Sequence, residues 1–320
     1  MSRLRARALL AVNVSISLLA AFAVAGSSGA TTPPSTPATT ETIGTDASGS
    51  ASVSSPPEEG PVGIVDEEVL IDDARTHIRC IGSGDVTVVI IPGGGDPGAT
   101  WRVPAGLLSA DARVCYYSHL GIGQSDPPPT VQTFAGRADR LHAVLEAVGE
   151  AGPYVVVGHS LGGGEAVAFA SMFADDVVGV VLVDATPPGF PEAVCAAVAD
   201  CASRTDPDNN PERIDFPGSF AEIAAIGSLG ATPIVVLTPA THVDLNMEGL
   251  GVDAASAAHL EDVWQQGQRA WAELSTRGQL VVVADSGHFI HVDQPAIVLD
   301  HIRALLDAST APPTTTSLTD

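Results

Sequence analysis

The run Pro153-Tyr-Val-Val-Val-Gly-His-Ser-Leu-Gly-Gly-Gly limits what this chain can fold into more than any other stretch. Tyr154 to Val157 is apolar and β-branched with no polar alternation, the pattern of an inner strand covered on both faces. It stops at Gly158-His159-Ser160-Leu161-Gly162 and gives way to Gly and Ala residues suited to a closely packed helix. A serine on so sharp a strand-to-helix turn needs residues without Cβ two places before and two places after it, and Gly158 and Gly162 stand there. Such a turn exposes the hydroxyl at the carboxyl edge of a sheet. The free N–H groups that open the next helix face the same point and favour negative charge developing on a carbonyl oxygen. Ser160 is therefore a candidate nucleophile.

The flanking sequence supplies the sheet. Short β-branched runs at Glu68–Ile71, Thr76–Ile81, Val86–Ile91, Arg113–Tyr117, Tyr154–Val157, Val178–Val183, Ile234–Thr238 and Leu280–Ala284 alternate with longer amphipathic segments. This order predicts an α/β fold, a mostly parallel eight-stranded sheet with helices on both faces and a hairpin at its start. A helix is expected over Phe134–Val148, where Phe134, Ala138, Leu141, Leu145 and Val148 line one face and Thr133 caps the start. Further helices are expected over Gly163–Phe173, Ala254–Leu274 and Pro295–Leu306. Ala185–Thr232 breaks the alternation. Rich in Pro, Asp and Asn, with helical patches around Val194 and Ile223, it reads as a short cap inserted over the site.

The two ends differ from the middle. Residues 1–25 read as a signal peptide: Arg3, Arg5 and Arg7 precede an apolar stretch that ends in Ala23-Val24-Ala25. An uncleaved anchor is the alternative, and the only route by which this chain would meet a membrane. Residues 26–61 form a Ser/Thr/Pro-rich linker and residues 309–320 a similar tail, both too poor in large apolar groups to order. One domain is expected over residues 62–308. With 14 Lys and Arg against 38 Asp and Glu, the net charge is −24, which disfavours nucleic acid and anionic lipid as partners. A secreted or cell-surface protein is expected.

Four cysteines in an exported chain read as disulfides. Cys195 and Cys201 are close enough in sequence to close a small ring, which leaves Cys80 and Cys115; four buried thiols are the alternative. Neither a CxxC pair nor metal-ligand spacing is present, so no metal and no cofactor are expected.

From about Thr76 to Leu306 the chain resembles the α/β-hydrolase superfamily, in particular its small secreted serine hydrolases. The resemblance implies an oxyanion hole made by two backbone N–H groups, one after the nucleophile and one in the loop after the third strand. Those positions fall on Leu161 and, within Ile91-Pro92-Gly93-Gly94-Gly95-Asp96, on Gly94, with Gly95 a near alternative. Pro92 replaces the family's usual His. The family's base follows the last strand, which points to His288 in Asp285-Ser286-Gly287-His288, with His291 as competitor. Its acid follows the sixth or the seventh strand, so Asp184 is preferred and Asp244 is the alternative. A metal held by His288 and His291 would need Asp244 or His242 as a third ligand and is disfavoured. The loop Gly121-Ile122-Gly123-Gln124-Ser125 matches the family, whereas Ser118-His119 replaces its charged pair and leaves His119 a structural or rim role. The family also sets its second and fourth strands side by side, which would bring Cys80 to Cys115.

Together these readings imply a serine hydrolase acting on a small-molecule ester or related acyl substrate. An acyltransferase or cofactor-free haloperoxidase-like enzyme would use the same three residues, and a non-catalytic binding protein would not need them. The sequence leaves oligomeric state open.

Overall fold

A computed structural model describes residues 63–199, 201–240 and 252–310. Its strands are β1 (Val65–Ile71), β2 (Ala74–Ile81), β3 (Thr87–Ile91), β4 (Arg113–Tyr117), β5 (Tyr154–His159), β6 (Val177–Val183), β7 (Ile234–Pro239) and β8 (Gly278–Val283). They form one eight-stranded sheet in the order β1-β2-β4-β3-β5-β6-β7-β8. The β1–β2 and β2–β4 pairings are antiparallel and all the others parallel. Each strand falls on its expected segment with ends shifted by a few residues. β1 starts earlier than its apolar residues suggested, because its register against β2 continues out to Val65 opposite Cys80 through the exposed Asp66, Glu67 and Glu68.

The helices are α1 (Arg102–Leu108), α2 (Phe134–Ala147), α3 (Gly162–Met172), α4 (Phe190–Ala197), α5 (Cys201–Thr205), α6 (Phe216–Ala224), α7 (Ala254–Glu273), α8 (Ile290–Asp293) and α9 (Pro295–Thr310). Thr133 caps α2 by accepting the Gly136 N–H at 3.2 Å. Alternate residues of the inner strands feed two separate cores. Val89, Ile91, Val156 and Leu182 face α2, α3, α6 and Trp271 of α7; Val88, Ile90, Val157 and Val183 face α1, α8 and α9. Burial on both sides is why these strands carry no polar alternation.

Between β6 and β7 the inserted segment holds α4, α5 and α6. Phe190 of α4 packs on Leu260 and Trp264 of α7, while Phe220 and Ile223 of α6 join the core beside α2 and α3. The connection between these two anchorages crosses the carboxyl edge of the sheet. Disulfides join Cys195 to Cys201, within this segment, and Cys80 to Cys115, which are opposite residues in the β2–β4 ladder. No helix among the described residues is long and apolar enough to cross a membrane.

Strand order reverses at β3. The loops after β3 and β5 therefore leave the sheet in different directions and open a crevice at its carboxyl edge, where α/β sheets bind their ligands.

Candidate active site

Ser160 lies in that crevice, on the turn between β5 and α3, with φ +52. Left-handed backbone costs a residue with a Cβ about 1 kcal/mol or more, and it persists here because the neighbours fix the turn. The Ser160 N–H donates to the Val183 carbonyl at 3.2 Å, and its own carbonyl accepts from Thr186 N–H at 3.0 Å. The flanking glycines are required by close approach. A Cβ on Gly158 would stand 2.6 Å from the Gly162 carbonyl oxygen, and one on Gly162 would stand 2.3 Å from that of Pro92.

Asp184, which follows β6, also has left-handed backbone, at φ +44, and is fully buried. Its Oδ2 accepts the His288 Nδ1–H at 2.7 Å, and its Oδ1 accepts from Trp264 Nε1 at 2.8 Å and Thr238 Oγ1 at 3.2 Å. His288 belongs to the loop between β8 and α8. His159, the residue before Ser160, donates Nε2–H to the His288 carbonyl at 3.1 Å, and the two rings are 4.7 Å apart. The structure thus brings His288, Asp184 and the Ser160 turn together. Asp244 and His242 lie outside the described residues.

His291 is close by, its ring centroid 4.7 Å from that of His159, but it makes none of these hydrogen bonds. It is buried in α8 and stacked on Trp101 with ring centroids 4.0 Å apart, and neither of its ring nitrogens has a hydrogen-bond partner among the described residues. Burial, with His288 beside it, lowers its pKa to about 3. Burial first, then His291 and His288, likewise hold His159 well below the ordinary histidine range. Both imidazoles are therefore neutral at pH 7.

Of the three glycines after β3, Gly95 has its N–H taken, donated to Glu212 Oε1 at 2.5 Å. Among the described residues the N–H groups of Gly94 and Leu161 have no acceptor. The Gly93–Asp96 turn is closed by Asp96 N–H donating to the Gly93 carbonyl at 3.1 Å. Asp96 in turn accepts from Gly98 N–H at 2.9 Å and Thr100 Oγ1 at 2.5 Å. Burial raises the Asp96 pKa against these hydrogen bonds.

His119 is not at the rim. It is 1% exposed, with Nε2 2.9 Å from Glu165 Oε2 and Nδ1 3.5 Å from Glu212 Oε2. The Gly-x-Gly loop after it takes its glycines for local reasons: at Gly121, φ +85, a Cβ would stand 2.0 Å from the Pro211 carbonyl oxygen of the insertion. Sequence reading missed Thr238, Trp264 and Glu212. Thr238 is the next-to-last residue of β7, beside Asp184, a position that strand register alone could have found; the other two carry no local signature.

The serine thus stands on a strained strand-to-helix turn after β5, with Asp184 after β6 hydrogen-bonded to His288 after β8, all at one edge of an eight-stranded α/β sheet. Residues 86–206 match the family model described as the alpha/beta hydrolase fold. Over those residues, and in the order and direction of its eight strands, the chain has the α/β-hydrolase fold. A Bacillus subtilis protein of uncharacterized function is 26% identical over 230 residues, covering 68% of this chain and 82% of that one. Among solved structures, a thermophilic esterase from Thermogutta terrifontis is similar with a TM-score of 0.55 and 21% identity, over 78% of this chain and 100% of the esterase. Est816, described as an N-acyl homoserine lactone degrading enzyme, is similar with a TM-score of 0.53 and 20% identity, over 74% of this chain and 98% of its own. At these identities the two structures bear on fold alone.

Proposed function

We propose that this protein is a secreted serine hydrolase that cleaves an ester or related acyl substrate through Ser160, His288 and Asp184. The observation that carries the reading is the 2.7 Å hydrogen bond from His288 Nδ1 to the buried Asp184 carboxylate, next to the Ser160 turn. That bond fixes the tautomer, leaving Nε2 as the basic nitrogen. Nε2 takes the Ser160 proton as the hydroxyl oxygen attacks the substrate carbonyl, and Asp184 stabilises the imidazolium that results. The carbonyl oxygen, now negative, is held by the N–H groups of Gly94 and Leu161. His288 then protonates the leaving alcohol, an acyl-Ser160 ester remains, and water activated by His288 hydrolyses it. Esterase activity in a protein of similar fold is compatible with this chemistry. Export is supported by the reading of residues 1–25 as a signal peptide and by the two disulfides, which persist in oxidising compartments.

Covalent labelling tests the reading. A fluorophosphonate is expected to add once to the protein by intact mass, and Ser160→Ala is expected to abolish both the adduct and the hydrolysis of p-nitrophenyl acetate. An unlabelled wild type, or an adduct that survives the substitution, would refute it.

A further inference from the structure

Glu212 lies in the insertion between α5 and α6, 4% exposed, and its two oxygens face different partners. Oε1 accepts the Gly95 N–H, in the loop after β3, at 2.5 Å. Oε2 accepts the guanidinium of Arg137 from α2. His119 stands between the two glutamates: its Nε2 is 2.9 Å from Glu165 Oε2, in the first turn of α3, and its Nδ1 is 3.5 Å from Glu212 Oε2 without a hydrogen bond, while the other Glu165 oxygen accepts the Tyr117 hydroxyl. A buried polar cluster therefore brings together the insertion, the glycine loop and the helix that follows Ser160. Burial pushes the Glu212 carboxyl up, but Arg137, His119 and the Gly95 N–H outweigh it and hold the pKa below its ordinary value. Glu212 is accordingly ionised at neutral pH.

The backbone carrying Glu212 is fixed without help from the glycine loop. Asn210 donates to the Ile214 carbonyl and accepts its N–H, Ile214 bridges to Gln132, and Pro211 rests on Gly121. The loop is the reverse case. Gly93, Gly94 and Gly95 are three successive residues with the widest backbone freedom, Gly95 sits at φ +73, and one backbone hydrogen bond closes the turn. An N–H that stabilises an oxyanion must be held in place before the charge appears. Something outside the loop has to hold it.

We infer that Glu212 is a positioning residue: reaching from the insertion, its carboxylate clamps the Gly95 N–H and so sets the neighbouring Gly94 N–H as an oxyanion donor. The inference rests on the roles proposed above for Ser160 and Gly94. It carries an electrostatic condition. A Cβ built on Gly94 would stand 3.7 Å from Glu212 Oε1, so an unpaired carboxylate here would oppose the developing oxyanion. Arg137 supplies the opposite charge on the other carboxylate oxygen.

The experiment compares wild type with Glu212→Ala and Glu212→Gln. It measures kcat and KM on p-nitrophenyl acetate, inhibition by phenylboronic acid, which adds to a serine hydroxyl as a tetrahedral anion, and the melting temperature. Assays run well below each variant's melting point. For Glu212→Ala, kcat is expected to fall about 10- to 100-fold with KM changed less than about threefold, and boronate affinity to fall in step with kcat. Glu212→Gln keeps an oxygen for the Gly95 N–H and should lie between Glu212→Ala and wild type. A Glu212→Ala protein that melts earlier yet keeps kcat and boronate affinity within about twofold of wild type would make Glu212 merely structural and overturn the inference. If Glu212→Ala does not fold, two readings decide: the kcat of Glu212→Gln, and exchange of the Gly95 amide proton in wild type. Slow exchange supports the clamp and fast exchange refutes it. Wild type that is not labelled at Ser160 fails the functional proposal itself and takes the inference with it; labelled wild type with an unimpaired Glu212→Ala fails the inference alone.

Discussion

Both carboxylate oxygens of Asp184 are engaged inside the protein, one by the His288 imidazole and the other by Trp264 and Thr238. A buried carboxylate is stable as an anion only when its lone pairs are met, so these donors favour its charged form and aim it at His288. Asp184→Asn leaves the shape but lets the amide dictate the wrong His288 tautomer. A fall in kcat of about 10³- to 10⁴-fold is expected in a steady-state ester assay, and a loss under tenfold would remove Asp184 from the reaction. Trp264→Phe removes one donor from a charged group, at an expected cost of about 1.5–3 kcal/mol in urea unfolding and a smaller loss in kcat than Asp184→Asn. Thr238 and Trp264 lie 54 and 80 residues from Asp184 in sequence, so nothing local ties either of them to it. A carboxylate after a buried strand marks itself; the indole that donates to it looks like any other core aromatic. Glu212 was hidden in the same way, within a polar run whose neighbours give no sign that a glycine loop will meet it.

At the scale of single elements, the strands and long helices were legible because their apolar residues recur with a clear period. The short helices α4 and α6 fall on the patches expected around Val194 and Ile223, whereas α1 and α8 were not legible. α1 contains Pro104 and Gly106, which argue against a helix locally, and it is held by the burial of Trp101, Ala105 and Leu108 against the sheet. α8 has four residues and no period to read. Its His291 ring, stacked on the indole of Trp101, makes this corner acid-sensitive. The folded pKa of about 3 lies below the value near 6.5 of an unfolded histidine, so the unfolded chain binds the proton first. The stabilisation is complete above about pH 6.5 and is lost progressively as pH falls toward 3. At pH 4.5 the loss from this one residue is about 3 kcal/mol. His291→Phe, which keeps the stack, should give a flatter dependence of urea-unfolding stability between pH 7 and 4.5 than wild type. Parallel pH curves for the two proteins would exclude His291 as the source.

Taken as a whole, the molecule has its proposed chemistry on β3, β5, β6 and β8, while the Cys80–Cys115 disulfide ties β2 to β4. Cys80 and Cys115 are 35 residues apart, and a cross-link of that span stabilises a fold by about 4 kcal/mol through the unfolded chain. The double variant Cys80→Ser/Cys115→Ser should therefore have a melting temperature lower by several degrees at least, while its kcat measured well below that temperature changes by less than about twofold. A large loss of kcat in the folded double variant would contradict this separation of stability from chemistry. The same bond has a mechanical side. A pull on Val65 loads the β1–β2 hairpin from its open end and peels its hydrogen bonds one pair after another, as a zipper opens. The tear reaches β2 and meets a covalent rivet into β4, so the tension passes into the body of the sheet, and the crevice around Ser160 does not feel it until the whole slab gives way.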